Sequence, residues 1–338
     1  LKNIPLSVLE LAIVTDTGNA ATAISNTVQI AQHTESLGYK RIWLAEHHNM
    51  AHIASSATAV LIGHIAGLTK GKIRVGSGGI MLPNHSPLVV AEQFGTLASI
   101  YPDRIDLGLG RAPGTDQLTA MALRRNNASF AYDFHAEILQ LQNYFSSENK
   151  NSKVRAFPGE GVRVPLWILG SSTDSAHLAA QMGLPYAFAA HFAPAQFRIA
   201  IDIYKKNFQP SAYLEKPYTM ACVNIMAADT DEEADLLSTS LYRMFLGIIT
   251  NTRSPLQAPA PLPAIINNPE VQQALYNMTT YTFTGSKQTL KEKLTAFINE
   301  TGIDELMAAS HIYDMEAKLK SFSILHEALN QPVQVQGG

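Results

Sequence analysis

The sequence contains a single cysteine, Cys222, in 338 residues. No intrachain disulfide can form, and a reducing, cytoplasmic setting is expected. No apolar run approaches the ~18 residues that a membrane helix needs, and no signal-peptide pattern is present. Basic residues are not in excess: 25 Lys and Arg stand against 28 Asp and Glu, for a net charge of −3. The electrostatic footprint of a nucleic-acid binder is therefore missing. There is no Gly-x-Ser-x-Gly elbow and no P-loop, so acyl transfer and nucleotide hydrolysis lack support. No His-x-His pair follows the first strand, and Asp314 lies several residues beyond the last one. Glu46, His47 and His48 are adjacent, so on a strand they point alternately and cannot all reach one ion. A metal-dependent hydrolase is the competing class that this disfavours, and no metal is expected.

What is present is a regular rhythm. Short apolar runs at 8–14, 41–44, 73–80, 105–109, 165–169, 185–189, 218–227 and 305–309 read as strands. Between them, stretches of helical spacing close on glycines such as Gly38 and Gly183. Strict alternation with buried strands argues for a parallel sheet, and eight units argue for a closed (β/α)8 TIM barrel. The chain reads as one domain, 1–338, with a long insertion after strand 7. That insertion, 250–281, holds prolines at 255, 259, 261, 263 and 269 and is expected to be a mobile lid or a disordered loop. The second helix, 57–68 (ATAVLIGHIAGL), is apolar nearly all round, whereas an outer barrel helix should have a wet face. A homodimer through helices 2 and 3 is the expected cover, with the chain's own terminal extensions as the alternative.

The chemistry gathers at strand ends. YPDRIDLGLGRAPGTD, 101–116, is a strand that runs into Gly108, Gly110 and Gly114 with Arg111 and Pro113 between. Bare backbone beside a fixed cation suits a phosphate. The spacing is wrong for a dinucleotide fingerprint, and a solvated glycine turn is the plain alternative. Gly170, Ser171 and Ser172 precede a helix beginning near Ser175 and offer a second set of anion donors. Gly78 and Gly79, toward the end of the third strand, leave room for a flat ring, and Ile80, Met81, Leu82 and Leu109 would wall it from water. A phosphate at one side and a planar group over the barrel mouth describe flavin mononucleotide better than a sugar phosphate. Six of the eleven histidines, at 47, 48, 52, 85, 191 and 311, fall after strands, although any one of them alone reads as a hydrogen-bonded structural residue.

Four segments in order, LAEHHN (44–49), GSGGIMLPNHSPLVVAEQFGTL (76–97), YPDRIDLGLGRAPGTD (101–116) and LGSSTDSAHLAAQMGLP (169–185), resemble the luciferase-like flavin monooxygenases. The likeness is to the bacterial single-chain group related to the luciferase alpha chain, and it is weakest across 245–282. The resemblance implies reduced FMN, supplied by a separate reductase, and molecular oxygen acting on a small organic substrate. It implies that His47 assists that chemistry and that Arg111 holds the FMN phosphate with Ser171, Ser172 and Ser175. It also implies a cis peptide at Gly78-Gly79, with Leu109 and Gly170 among the cofactor contacts. A reactive cysteine of the luciferase alpha chain is replaced here by Gly110, so light emission with long aldehydes is not implied. A flavin or deazaflavin reductase and a non-catalytic flavin-binding protein are the alternatives.

Overall fold

The structure, a computed structural model, describes residues 4–112, 115–123 and 132–330. Pro113 and Gly114 of the glycine-rich stretch, and the start of the helix that the spacing over 130–145 predicts, lie outside them.

Among the described residues, nine strands form one all-parallel sheet: Leu6–Glu10 (β1), Arg41–Leu44 (β2), Arg74–Met81 (β3), Ile105–Gly110 (β4), Leu166–Gly170 (β5), Tyr186–Phe188 (β6), Thr219–Ala227 (β7), Thr282–Gly285 (β8) and Glu305–Ala309 (β9). β1 to β7 and β9 close a ring of eight, because β6 pairs with β7, β7 with β9 and β9 with β1. The helices are Ala20–Ser36 (α1), Thr58–Leu68 (α2), Pro87–Ile100 (α3), Gln117–Leu123 (α4), Phe134–Phe145 (α5), Thr173–Met182 (α6), Phe197–Asn207 (α7), Asp231–Ile249 (α8), Pro269–Met278 (α9), Lys287–Thr301 (α10) and Met315–Leu329 (α11). Their ends follow local chemistry. Asn19 caps α1 by accepting the Thr22 N–H at 3.0 Å, and left-handed Gly183 and Gly302 close α6 and α10. No helix is long and apolar enough to cross a membrane among the described residues.

Two-residue alternation sorts the strand side chains into two layers. Ile42, Leu44, Val75, Leu107, Leu109 and Ile168 belong to the large core under the outer helices. Leu9, Trp43, Ala45, Trp167, Ala187, Met220, Cys222, Met307 and Ala309 pack together as a second core, the barrel lumen. Each large side chain buried this way contributes roughly 1.5–3 kcal/mol relative to exposure. Toward the N-terminal ends of the strands the same inward positions become ionic. Arg41 pairs with Asp106 and Glu305 at 2.7 Å each, and Arg74 joins Asp106 at 2.6 Å.

Three sequence expectations change. The first strand is shorter than 8–14, because Ala12 turns the chain with a φ of 49°. A ninth strand, β8, pairs only with the last four residues of β7, Asn224–Ala227, and stands outside the ring. The 250–281 segment is not an irregular loop throughout: it carries a 3-10 turn and α9, and Leu275 packs with Leu241, Phe245 and Leu246 of α8. Its first part is tied to the barrel mouth. Leu256 is buried, its N–H donates to the Val14 carbonyl, and its own carbonyl accepts the Asp16 N–H, both at 3.0 Å.

Candidate active site

Carried past the lumen, the alternation that aims Arg41, Trp43 and Ala45 inward brings His47 to the mouth, half-buried. Gly76 and Gly78 on β3, and Gly108 and Gly110 on β4, take the equivalent inward positions. This leaves a floor without side chains between β2 and β5. Glycine is required there: a Cβ on Gly108 would lie 2.2 Å from the Ser77 carbonyl oxygen, and one on Gly79 2.7 Å from that of Gly108. The Gly78-Gly79 peptide is cis, as the resemblance implied, and the β3–β4 register shifts between Ser77 and Ile80.

Arg111 lies one residue past β4, half-exposed, and its Nη2 donates to Asp174 Oδ2 at 3.3 Å. Asp174 is in the first turn of α6, so the strand-four arginine and the serine turn form one place. Ser171 is exposed, and Ser172 occupies the cap position of α6 without a side-chain capping bond. Ser175 is engaged: its hydroxyl donates to the Ser172 carbonyl at 2.7 Å and meets the Tyr186 hydroxyl at 2.9 Å. Gly170 serves that contact, since a Cβ there would fall 1.9 Å from Ser175 Oγ. Ser175 and Gly170 thus shape the turn, and Arg111, Ser171 and Ser172 are the groups presented to an anion. These residues fit a phosphomonoester, with a half-exposed guanidinium beside a helix start that Ser172 leaves without a side-chain cap, although the Thr173 N–H donates to Gln196 Oε1 at 3.0 Å.

Leu109 requires correction as a cofactor contact through its side chain. It is fully buried on the outer face of β4 among helix-facing residues, with Ile80 and Leu82. Only its backbone borders the mouth, and the expected apolar wall reduces to Met81, half-buried beside Gly110.

The histidines divide into two groups. His48 and His85 both direct Nε2 at the buried carboxylate of Glu46, at 2.8 and 2.9 Å. The Met81 N–H at 3.2 Å and Asn84 Nδ2 at 3.4 Å reach the same carboxylate. Hydrogen bonds from His85 and His48 outweigh burial and hold the Glu46 carboxyl below its usual range. Glu46, His48 and His85 lie close enough to share an ion, a grouping that adjacency in sequence hid because His85 comes from the β3–α3 connection. Here the carboxylate oxygens are already taken by these N–H donors.

His191 and His311 are the second group. Both are buried, and burial pushes each imidazole down to about 3; His47 adds to the effect on His191, and Lys318 and His191 add to that on His311. Each keeps an Nδ1 without a hydrogen-bond partner, as does Oδ1 of Asn224 beside them. Asn224 Nδ2 donates to the His191 carbonyl at 2.6 Å. His52, near Arg253 and His47, is also lowered, mainly by burial. Sequence reading had no signal for Asn224, which looks like any polar residue inside an apolar strand.

The sequence profile of the luciferase-like monooxygenases matches residues 7–305. The chain belongs to the luciferase-like monooxygenase family. A protein of Escherichia coli strain K12 named luciferase-like monooxygenase is 46% identical over 323 residues, covering 96% of each chain. The N-acetyl-S-alkylcysteine monooxygenase of Bacillus subtilis is 32% identical over 337 residues, covering 96% of this chain and 98% of its own. Among solved structures, the oxygenating constituent of 3,6-diketocamphane monooxygenase from Pseudomonas putida, in complex with FMN, superposes with a TM-score of 0.72. At 16% identity, over 96% of this chain and 97% of that one, that likeness shows the shared barrel fold.

Proposed function

We propose that this luciferase-like family member is an FMN-dependent monooxygenase, using reduced FMN from a separate reductase and O2 to oxygenate a small organic substrate. The observation that carries the reading is the joining of Arg111 to the α6 start through Asp174, directly beside the side-chain-free bed of Gly78, Gly79, Gly108 and Gly110. A phosphate at the first and a flat ring on the second account for both. When bound, FMN would supply the electrons that activate oxygen.

The chain's own residues have separable parts. Arg111, Ser171 and Ser172 hold the phosphate, and the glycines seat the ring. His47 accepts or donates a proton at the mouth, a task suited to a half-buried imidazole. Glu46 fixes His48 and His85 and, through the Met81 N–H, the end of β3. The strap around Leu256 and helices α8 and α9 covers the β7 side and excludes water. The 32%-identical relative that is named for N-acetyl-S-alkylcysteine makes thioethers of N-acylated amino acids the first substrates to screen.

The α2–α3 face is proposed as a homodimer interface. It presents Val60 and Leu68 on α2, and Val89 and Ile100 on α3, to solvent in the single chain.

The deciding experiment is anaerobic binding of reduced FMN, then rapid mixing with O2 while absorbance is recorded. The expected result is tight binding and a spectrum distinct from both reduced and oxidised FMN that persists for seconds. Immediate conversion to oxidised FMN would favour a reductase or a binding role, and absence of FMN binding would remove the assignment.

A further inference from the structure

A cavity of about 620 Å³ opens at the end of the barrel opposite His47 and Arg111. It lies under the N-terminal ends of β2, β3, β4 and β5, walled by the α5–β5 connection and the segment leading into β7. Its size is that of a small-molecule site, roughly 300–1,000 Å³, whereas the bottom of such a barrel ordinarily carries stability alone.

Its lining has a definite chemistry. Four cations, Lys40, Arg41, Arg74 and Arg163, border it with one carboxylate, Asp106. That carboxylate is spent: it accepts from Arg41 at 2.7 Å, from Arg74 at 2.6 and 2.9 Å and from Trp43 Nε1 at 3.2 Å. Glu305, behind it, is spent likewise on Arg41, Lys40 and the Tyr218 hydroxyl. Both buried acids are thus neutralised with positive charge left over. Arg163 is exposed and has no ion-pair or hydrogen-bond partner among the described residues. Aromatic surface faces the same space: Tyr213 is 53% exposed and Tyr218 is half-buried, while Trp167 lies buried beneath them with the Arg41 guanidinium 4.7 Å from its ring centroid. Surplus cation beside aromatic walls is the recognition chemistry of a flat organic anion.

We infer that the barrel floor is a second ligand site, separate from the mouth, that binds an aromatic carboxylate or phosphate ester against Tyr213 and Tyr218 with its charge toward Arg163 and Lys40. The inference does not depend on the flavin reading, because no residue of the floor belongs to the mouth.

The protein carries its own reporter. Of its two tryptophans, Trp167 borders this cavity, and Trp43 packs behind it in the lumen with ring centroids 5.1 Å apart and lies against Gly76 and Gly78, so calorimetry alone reads the titrations that contain FMN. Titration with 2-naphthoate, and separately with 1-naphthyl phosphate, is followed by tryptophan fluorescence and by calorimetry, using 2-naphthylmethanol as the uncharged control. Saturable one-to-one binding of at least one anion is expected, at the same affinity with and without saturating FMN. Arg163→Glu should weaken it at least tenfold, and Tyr213→Ala severalfold, with unchanged circular dichroism and melting. The preferred anion distinguishes a carboxylate ligand from a phosphate ester. Absence of saturable binding at millimolar anion, equal binding by R163E, equal binding of the alcohol, or competition with FMN would each overturn the inference.

Discussion

At the scale of single residues, Arg111 should matter to ligand and hardly to fold. Its pair with Asp174 joins side chains 55% and 69% exposed, and such pairs contribute about 0–1 kcal/mol. Arg111→Ala is therefore expected to leave the melting temperature within error while weakening FMN binding by roughly tenfold to a hundredfold, the loss of one charge-assisted contact of about 1.5–3 kcal/mol. Flavin fluorescence titration reads it. His47→Ala should do the reverse, sparing FMN affinity and lowering turnover by about 10²-fold or more, as removal of a general acid or base does; substrate-dependent oxygen uptake is the measurement. Arg111 and the serine turn were legible because glycine, arginine and serine are unusual company at strand ends. Leu109 was misjudged because facing follows from strand register, and one residue of shift turns a side chain from lumen to helix. Asn224, Asp174 and His85 act through partners distant in sequence.

His191 and His311 also set an acid limit. Both fold with imidazoles pushed down to about 3, against about 6.5 in an unfolded chain. Between those values the unfolded state binds more protons, so the stabilising contribution is complete above about pH 6.5 and declines as pH falls toward 3. Each histidine should remove up to about 1.4 kcal/mol per pH unit in that window. Urea midpoints from pH 7 to 4 should fall steeply in the wild type. The His191→Asn/His311→Asn double variant should show a flatter slope, whatever its absolute stability.

At the scale of elements, the eight ring strands were readable because each is a compact apolar run in a regular alternation with helices, three of which stop at Gly38, Gly183 and Gly302. β8 was not: TFTG is four residues long, half-buried and half polar, and pairing with β7 rather than pattern makes it a strand. The 250–281 segment was opaque for a related reason, since its prolines suggest disorder while Leu256 and Leu275 anchor it. Leu256→Ala removes a buried side chain and should cost about 2–5 kcal/mol. If that cost is local, hydrogen exchange should quicken at Leu256 and Asp16, whose amides hold the strap to the mouth, before it quickens in β4 or β5.

At the scale of the whole molecule, quaternary state was the least legible property. An apolar helix announces that something covers it and does not say what. The expectation is a dimer by light scattering, and Val60→Glu with Val89→Glu should yield a monomer of 36.8 kDa with its fluorescence emission unchanged, because neither tryptophan lies on that face. A wild-type monomer would end the proposal.

The placement of β8 has an evolutionary reading. The chain leaves the ring after Ala227, and β8, outside the ring, ends at Gly285, the register partner of Ala227 on the neighbouring strand. Everything between them begins and ends at one point on the rim. The α8–β8 excursion is therefore an exchangeable cassette: a relative could carry a longer, shorter or differently shaped insert there without disturbing a single ladder of the closed eight-strand ring. Selection can then remodel the wall beside the mouth while inheriting the glycine bed of β3 and β4 intact.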